Sequence, residues 1–415
     1  LSGHRRQANP SDFAVIPFQD PAKDASLEGP FHLFPCHGEK LYVFVFAAKC
    51  MVKGTATLTS FALKFLLSSL TPNETVRIVF HVYDQQGESL MGIMSRVGTL
   101  GLIGTSLLSF ATAHAASWDM PTPYPDKTFH TVNIAAFAKD IDEATDGKLT
   151  IKIHSAGSLF KHPEISKAVR SRQVQIGEFF LSRLANEHAV FGTDSQPFLA
   201  TNYEDAKRLW EAQKPIITKL LDKQNLIPLF SVPWPPQGLY TKKEIKTIED
   251  LKGLKFRAYN ATLEKFATLA GAAPTQVEVP DIPQAFATGQ VEAMITSPST
   301  GANSKAWDFI SHYTDIQAWL PKNIVVVNKR AFQKLDDVTK SAVLDAAAKA
   351  ETRGWKMSQE ETAAKVKILK DNGVTIVTPS AELSKSLKEI GAEMLDSWKK
   401  DAGEDGDMLL KAYRE

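Results

Sequence analysis

The stretch from Asp337 to Asp371 contains no proline and one internal glycine, Gly354. Proline removes a backbone donor and clashes with the preceding turn, so its absence over 35 residues marks a single long helix. Asp336 is placed to cap the start, and Asn372-Gly373 to stop it. At about 1.5 Å rise per residue such a helix runs to roughly 50 Å, more than the width of one small α/β lobe. It must lie along two lobes and brace them from behind; the alternative is a kink or break at Gly354.

The residues before it read as two α/β bodies. After the irregular loop P-T-P-Y-P at Pro121–Pro125, apolar residues take helical spacing from His130 to Thr145 and alternate at Leu149, Ile151 and Ile153. A helix from Pro163 to Val169 and a strand-like run at Val174–Phe180 follow, which predicts a lobe with a parallel sheet. Leu226–Pro236 is extended, carries four prolines and suits a segment that crosses between bodies. The pattern then restarts: strand Leu254–Tyr259, helix Leu263–Leu269, strand Gln276–Val279, helix Ile282–Thr288, strand Val291–Thr296. Ile324–Val327 is apolar without interruption, as in a strand buried on both faces, and is a candidate to cross back. The expected fold class is therefore α/β in two lobes, 116–236 with 328–360 and 237–327 with 361–415.

Export is written ahead of these lobes. Arg96, the apolar run Val97–Phe110 and the A-x-A at Ala113–Ala115 have the order of a signal peptide over residues 91–115. Its apolar core of 14 residues is too short for a comfortable membrane span. Residues 1–90 stand in front of that signal, and the sequence opens on Leu, so a wrongly placed start with true initiation at Met91 or Met94 is the expectation; a genuine extra domain is the alternative. Cys36 and Cys50 both precede Met91, which leaves the exported part without thiol or disulfide chemistry. That part carries 39 basic and 39 acidic residues, so charge argues for neither nucleic acid nor an anionic membrane as partner.

One arginine has the right address for a ligand. In T-I-E-D-L-K-G-L-K-F-R-A-Y-N (Thr247 to Asn260), Thr247 caps a short turn, Gly253 breaks it, and a strand with one buried face follows. Arg257 sits opposite Phe256 near the carboxyl end of that strand, the end that faces the ligand crevice in open α/β sheets. Its planar fork stays charged and fits a carboxylate bidentately, although a lone arginine is more often a surface ion pair.

Six segments, in this order and spacing, carry a resemblance. They are T-D-G-K-L-T-I-K-I-H-S-A-G-S-L-F from Thr145, A-V-R-S-R-Q-V-Q-I-G from Ala168, Q-P-F-L-A from Gln196, I-E-D-L-K-G-L-K-F-R from Ile248, A-F-A-T-G-Q-V-E-A from Ala285 and V-V-V-N-K-R-A-F-Q-K-L from Val325. The chain from 117 to 415 resembles the extracytoplasmic solute receptors of tripartite ATP-independent periplasmic (TRAP) transporters, of the DctP type. The resemblance implies a two-lobed periplasmic-binding-protein fold closing over a small organic acid, with Arg257 on the ligand carboxylate, a membrane permease as partner and no cofactor. A homodimer is admitted by it. Some members have a second arginine where Gln237-Gly238 stand here, and the family's Asn is replaced by Thr296-Ser297, with Asn303 further on. A monocarboxylate such as a sugar acid or an aromatic 2-oxo or 2-hydroxy acid is the expected ligand.

Further candidates beside the cleft are Glu178, Phe180, Trp234, Tyr240, Ser297, Phe129, His130 and Trp319. Each has a plainer alternative: the aromatics as core, His130 as a helix cap, Glu178 as a lysine partner. Against an enzyme, no G-x-S-x-G elbow, phosphate loop or dinucleotide fingerprint is found, and His130, His154, His162, His188 and His312 lack metal-ligand spacing. The rival classes are a ligand receptor for signalling and an exported hydrolase.

Overall fold

The computed structural model describes residues 116–415 and, before them, the backbone of four strands, His32–Cys36, Glu39–Ala47, Val76–Tyr83 and Ser89–Leu90. Those four form a sheet of their own, in that order, within a unit separate from residues 110–415. The expected signal peptide lies outside the described residues. Elements are numbered here from Ala116.

The first lobe begins with β1 (Ala116–Pro121), which pairs in parallel with β2 (Leu149–His154) across α1 (Phe129–Ala144). Helix α2 (His162–Arg170) leads to β3 (Ile176–Phe180), and α3 (Tyr203–Asp222) leads to β4 (Leu226–Pro233). In the second lobe six strands lie in one sheet. They are β5 (Gly238–Thr241), β6 (Lys255–Ala258), β7 (Ala273–Gln276), β8 (Ala293–Thr296), β9 (His312–Thr314) and β11 (Thr375–Val377), in the spatial order β7-β6-β8-β5-β9-β11. Helices α4 (Ala261–Leu269), α5 (Ile282–Ala287) and α6 (Pro298–Asn303) connect them. The strand expected at Gln276–Val279 ends at Gln276; Val279–Asp281 is a 3₁₀ turn with Pro280 inside it. Pro274 is accommodated because β7 is an edge strand, with β6 as its one partner.

The apolar run at Ile324–Val327 does cross back. It lies in β10 (Lys322–Asn328), buried along its whole length between β3 and β4. The first lobe's core thus takes in residues that a boundary at 327 assigns to the second. The parallel sheet expected in the first lobe is correspondingly confined to β1 and β2, since β10 runs antiparallel to both neighbours. The reason is the path of the chain: β4 leaves the lobe and β10 returns to it. The crossings themselves are tied together, Trp234 N–H donating to Pro321 O at 2.8 Å, Gln237 N–H to Trp319 O at 3.0 Å and Ala318 N–H to Gln237 O at 2.9 Å.

Helix α7 (Lys329–Gln333) precedes α8 (Asp337–Asp371), which is unbroken over its 35 residues. Asp336 caps it through Oδ1, which accepts from Thr339 N–H at 2.8 Å. Gly354 is no kink: a Cβ there would stand 2.4 Å from Val232 Cγ2 and 2.7 Å from Asn133 Nδ2, so the glycine lets the helix lie flat on the first lobe. Asn133 Nδ2 donates to Ala350 O at 2.9 Å, and Trp355 Nε1 to Ser231 O at 3.0 Å. Further along, Lys365 Nζ reaches Asn303 Oδ1 at 3.1 Å and Glu361 accepts from Ser299 Oγ, both on α6 of the second lobe.

A second brace, α9 (Ala381–Arg414), bends at Gly403 (φ 55, ψ −140). Lys265 of α4 donates to its Ser397 at 2.7 Å, whereas Trp398, Leu409 and Leu410 pack into the first lobe's core with Phe191, Leu209 and Trp210. The chain from 361 to 415 is therefore shared between lobes rather than belonging to the second alone. Among the described residues no helix is long and apolar enough to cross a membrane.

Candidate functional site

The carboxyl ends of strands from both lobes meet at one cleft. Phe180 closes β3, Trp234 follows β4 and Tyr124 follows β1; from the second lobe come Arg257 and Tyr259 of β6 and its exit, Thr296 and Ser297 of β8, and Glu278 just past β7. These side chains, with His162 and Gln237, line a small, tightly walled pocket. Such a meeting of strand ends is where open α/β sheets bind ligands. Trp234, Val279 and Thr300 also border an adjoining space that opens past Lys127 and Asn303.

Arg257 is set there by its strand. Gly253 (φ 76) takes the left-handed conformation that ends the turn Ile248–Leu251, and Asp250 Oδ2 accepts from Thr247 N–H at 3.0 Å. The strand then points Phe256 into the core and Arg257 to the other face. Arg257 is 1% exposed, yet no carboxylate of the described residues lies within 4 Å of it. Its Nε donates to Val277 O at 2.9 Å, and its guanidinium carbon lies 5.0 Å over the Tyr259 ring. Burial pushes its pKa down to about 10, which leaves it protonated at neutral pH. Tyr259 is fixed in turn, accepting from Trp319 Nε1 at 2.9 Å and donating to Gln237 Oε1 at 3.4 Å.

Glu278 reaches across the cleft to the first lobe. Its carboxylate pairs with Arg183 and accepts from His162 Nδ1 at 3.2 Å. His162 Nε2 accepts Phe180 N–H at 3.0 Å, so the proton of its neutral ring sits on Nδ1. Burial lowers the His162 pKa against the pull of Glu278. Burial alone would raise Glu278, but the His162 hydrogen bond and the Arg183 charge outweigh it and hold the carboxyl below its usual range. Asn260 Nδ2 donates to Ser182 Oγ at 2.7 Å as a second tie between the lobes.

Of the nine residues singled out in the sequence, Arg257, Phe180, Trp234 and Ser297 line this cavity. The other five form its backing. Glu178 is buried, accepting from Thr122 Oγ1 at 2.6 Å and Asn323 Nδ2 at 3.0 Å, with His130 Nδ1 at 3.4 Å. Burial would raise its pKa, but His130, Thr122 and Asn323 together lower it, while burial pushes His130 down and keeps it neutral. Asn323 Oδ1 also accepts from Tyr124 Oη at 3.1 Å and Trp234 Nε1 at 3.0 Å, so this buried group holds two cavity aromatics in place. Phe129 packs on His130 with ring centroids 4.1 Å apart, and His130 on Trp234 at 4.4 Å. Tyr240 is buried with its hydroxyl on Ser297 O at 3.1 Å, and Trp319 stands behind Tyr259. Sequence reasoning passed over Tyr124, Tyr259, Glu278 and Arg183, named His162 only as a histidine without metal-ligand spacing, and named Gln237 only for the arginine it replaces. Tyr259 had a signal, since it lies two residues after Arg257 on the same strand face. Among the described residues no group of three or more His, Cys, Asp or Glu side chains is placed to hold a metal ion.

Comparison with known proteins agrees with this architecture. The family model described as bacterial extracellular solute-binding protein, family 7 (DctP) matches residues 122–401. DctP6 of Bordetella pertussis, an extracytoplasmic solute receptor binding pyroglutamic acid, is 46% identical and superposes with a TM-score of 0.71, over 72% of this chain and 99% of that one. A marine metagenome TRAP solute binding protein specific for pyroglutamate is 41% identical, with a TM-score of 0.71 and the same shares, 72% and 99%. A solute-binding protein of Chromohalobacter salexigens is 24% identical over 283 residues, 67% of this chain and 83% of that protein. The chain therefore belongs to the DctP family, the extracytoplasmic solute receptors of TRAP type.

Proposed function

We propose that this receptor captures pyroglutamate in the cleft between its lobes, with Arg257 on the ligand carboxylate, and presents it to the membrane permease of a TRAP transporter. The observation that carries the reading is a buried, protonated arginine on the cavity wall with no carboxylate within 4 Å among the described residues. A group of that kind requires an anion with a planar, bidentate acceptor. Support for a single carboxylate comes from Gly238, the position where a second arginine can stand: a Cβ there would meet the Tyr313 ring at 2.2 Å. Support for the identity comes from the two pyroglutamate receptors at 46% and 41% identity. Pyroglutamate is a monocarboxylate whose other end is a lactam amide, and it replaces the sugar and aromatic acids as the ligand to try first. Export through residues 91–115 delivers the receptor to the periplasm, and cleavage after Ala115 leaves β1 whole, since β1 begins at Ala116.

Titration calorimetry of the purified protein with pyroglutamate tests this, with one-to-one binding and no turnover as the expected result. Hydrogen bonds to charged groups contribute about 1.5–3 kcal/mol each, so Arg257→Lys, which keeps the charge and loses the fork, should weaken binding by at least about tenfold. No heat with pyroglutamate removes the ligand assignment, and wild-type affinity in Arg257→Lys removes the bidentate anchor.

A further inference from the structure

The charges of the cleft are unequal in how they are matched. Arg183, 12% exposed and on the other lobe, is close enough for its charge to lower the Arg257 pKa, and the one carboxylate within 4 Å of it among the described residues is Glu278. Its Nε is buried without a hydrogen-bond partner, so Glu278 is what compensates this guanidinium. His162 adds a donated hydrogen bond to Glu278 and, being neutral, no charge. Lys127 borders the adjoining space but is exposed, where water screens it. Glu178 lies behind Tyr124 and Asn323, and its negative charge acts on Tyr124 together with that of Glu278.

We infer that Glu278 sets how many negative charges the cleft accepts: by neutralising Arg183 across the cleft, it leaves Arg257 as the single open cation. A ligand with one carboxylate is then matched. A second carboxylate that approaches Glu278 meets a like charge, and like charges in a partly desolvated site repel strongly. The same carboxylate is an acceptor, so a ligand's N–H or O–H beside it is complementary to it. Without Glu278 the cleft would present two arginines, one from each lobe, a pair suited to a dicarboxylate. This assignment rests on the reading of Arg257 as the carboxylate anchor and does not depend on which monocarboxylate is bound.

The test is calorimetry with pyroglutamate and with glutarate, an open-chain dicarboxylate, on wild type, Glu278→Gln and the double variant Arg183→Gln/Glu278→Gln. Wild type should prefer pyroglutamate, and Glu278→Gln should reduce that preference at least about tenfold by gaining glutarate. The double variant should give the preference back, because the freed cation is gone. A parallel fall in both affinities in Glu278→Gln would mean that Glu278 only ties the lobes together, and the inference would be wrong. If Glu278→Gln folds poorly, Arg183→Gln decides: it leaves Glu278 uncompensated and should weaken glutarate more than pyroglutamate, and equal weakening overturns the inference. Should wild type ignore pyroglutamate but take another monocarboxylate, such as glucuronate or lactate, with the same response to Glu278→Gln, the ligand assignment falls and the charge rule stands. Equal wild-type affinity for mono- and dicarboxylates sinks the charge rule and leaves the anchor intact.

Discussion

Arg257 commits its Nε to the Val277 carbonyl and stacks on Tyr259, and that leaves the rest of its fork for the cavity. The titratable groups that line the pocket are held away from neutral pH. Arg257 stays protonated up to about 10, Glu278 is held below the usual carboxylate range, and His162 is pushed below its usual 6.5 by burial. Tyr124 and Tyr259 are raised, again by burial. No wall group therefore changes charge between pH 6.5 and 9, and the affinity for pyroglutamate should be flat across that window in calorimetry. A change of tenfold centred on 6.5 would show a histidine switching charge at the site, contrary to the neutral His162 assigned here. Arg257 was legible in the sequence because strand alternation and strand direction act locally. Glu278 was not, because its importance comes from Arg183 and His162, which are more than ninety residues away in the chain and on the other lobe. Tyr240 illustrates the reverse case: it is close to the cleft in sequence logic, but its hydroxyl is spent on the Ser297 carbonyl and its ring on Tyr313, 4.8 Å away.

At the scale of elements, the long helix was readable from the absence of proline, because helix continuity is a property of the stretch itself. The direction of β10 was not, because pairing depends on a chain that leaves one lobe and returns after a whole second sheet. Gly354 was ambiguous for the same reason: a glycine at mid-helix signals either a break or a close neighbour, and the neighbour, Val232, is on another element. The close approach gives a prediction with a definite sign. Gly→Ala in an exposed helix interior gains about 1 kcal/mol of helix propensity. At Gly354 the new methyl would stand 2.4 Å from Val232 and 2.7 Å from Asn133, where overpacking costs about 1–3 kcal/mol. Gly354→Ala should therefore lower the thermal midpoint. A raised midpoint would mean that the helix can lift from β4 without loss, and that the glycine is not required for docking.

For the whole molecule, the two lobes are joined in three ways that differ in stiffness. Helices α8 and α9 each pack on both lobes and supply broad, apolar and hydrogen-bonded contact from outside the cleft. The crossings at 234–237 and 318–321 form a narrow ribbon with prolines at 235, 236 and 321, short enough to absorb a rotation. Across the cleft itself stand a few polar ties, Glu278 to Arg183 and His162, and Asn260 to Ser182. These ties are few and join groups that water solvates once the lobes part, so without a ligand to neutralise Arg257 the cleft contacts are the part that gives way. Opening should then pivot on the ribbon, with the braces as the backing. Small-angle scattering should accordingly give a smaller radius of gyration with pyroglutamate than without it. Glu278→Gln should enlarge the ligand-free radius or leave it as it is, and it should not shrink it, since the substitution removes a tie. An identical radius in the two states at saturating ligand would count against hinge closure, and would place the entry of ligand through a fixed opening past Lys127 and Asn303 instead.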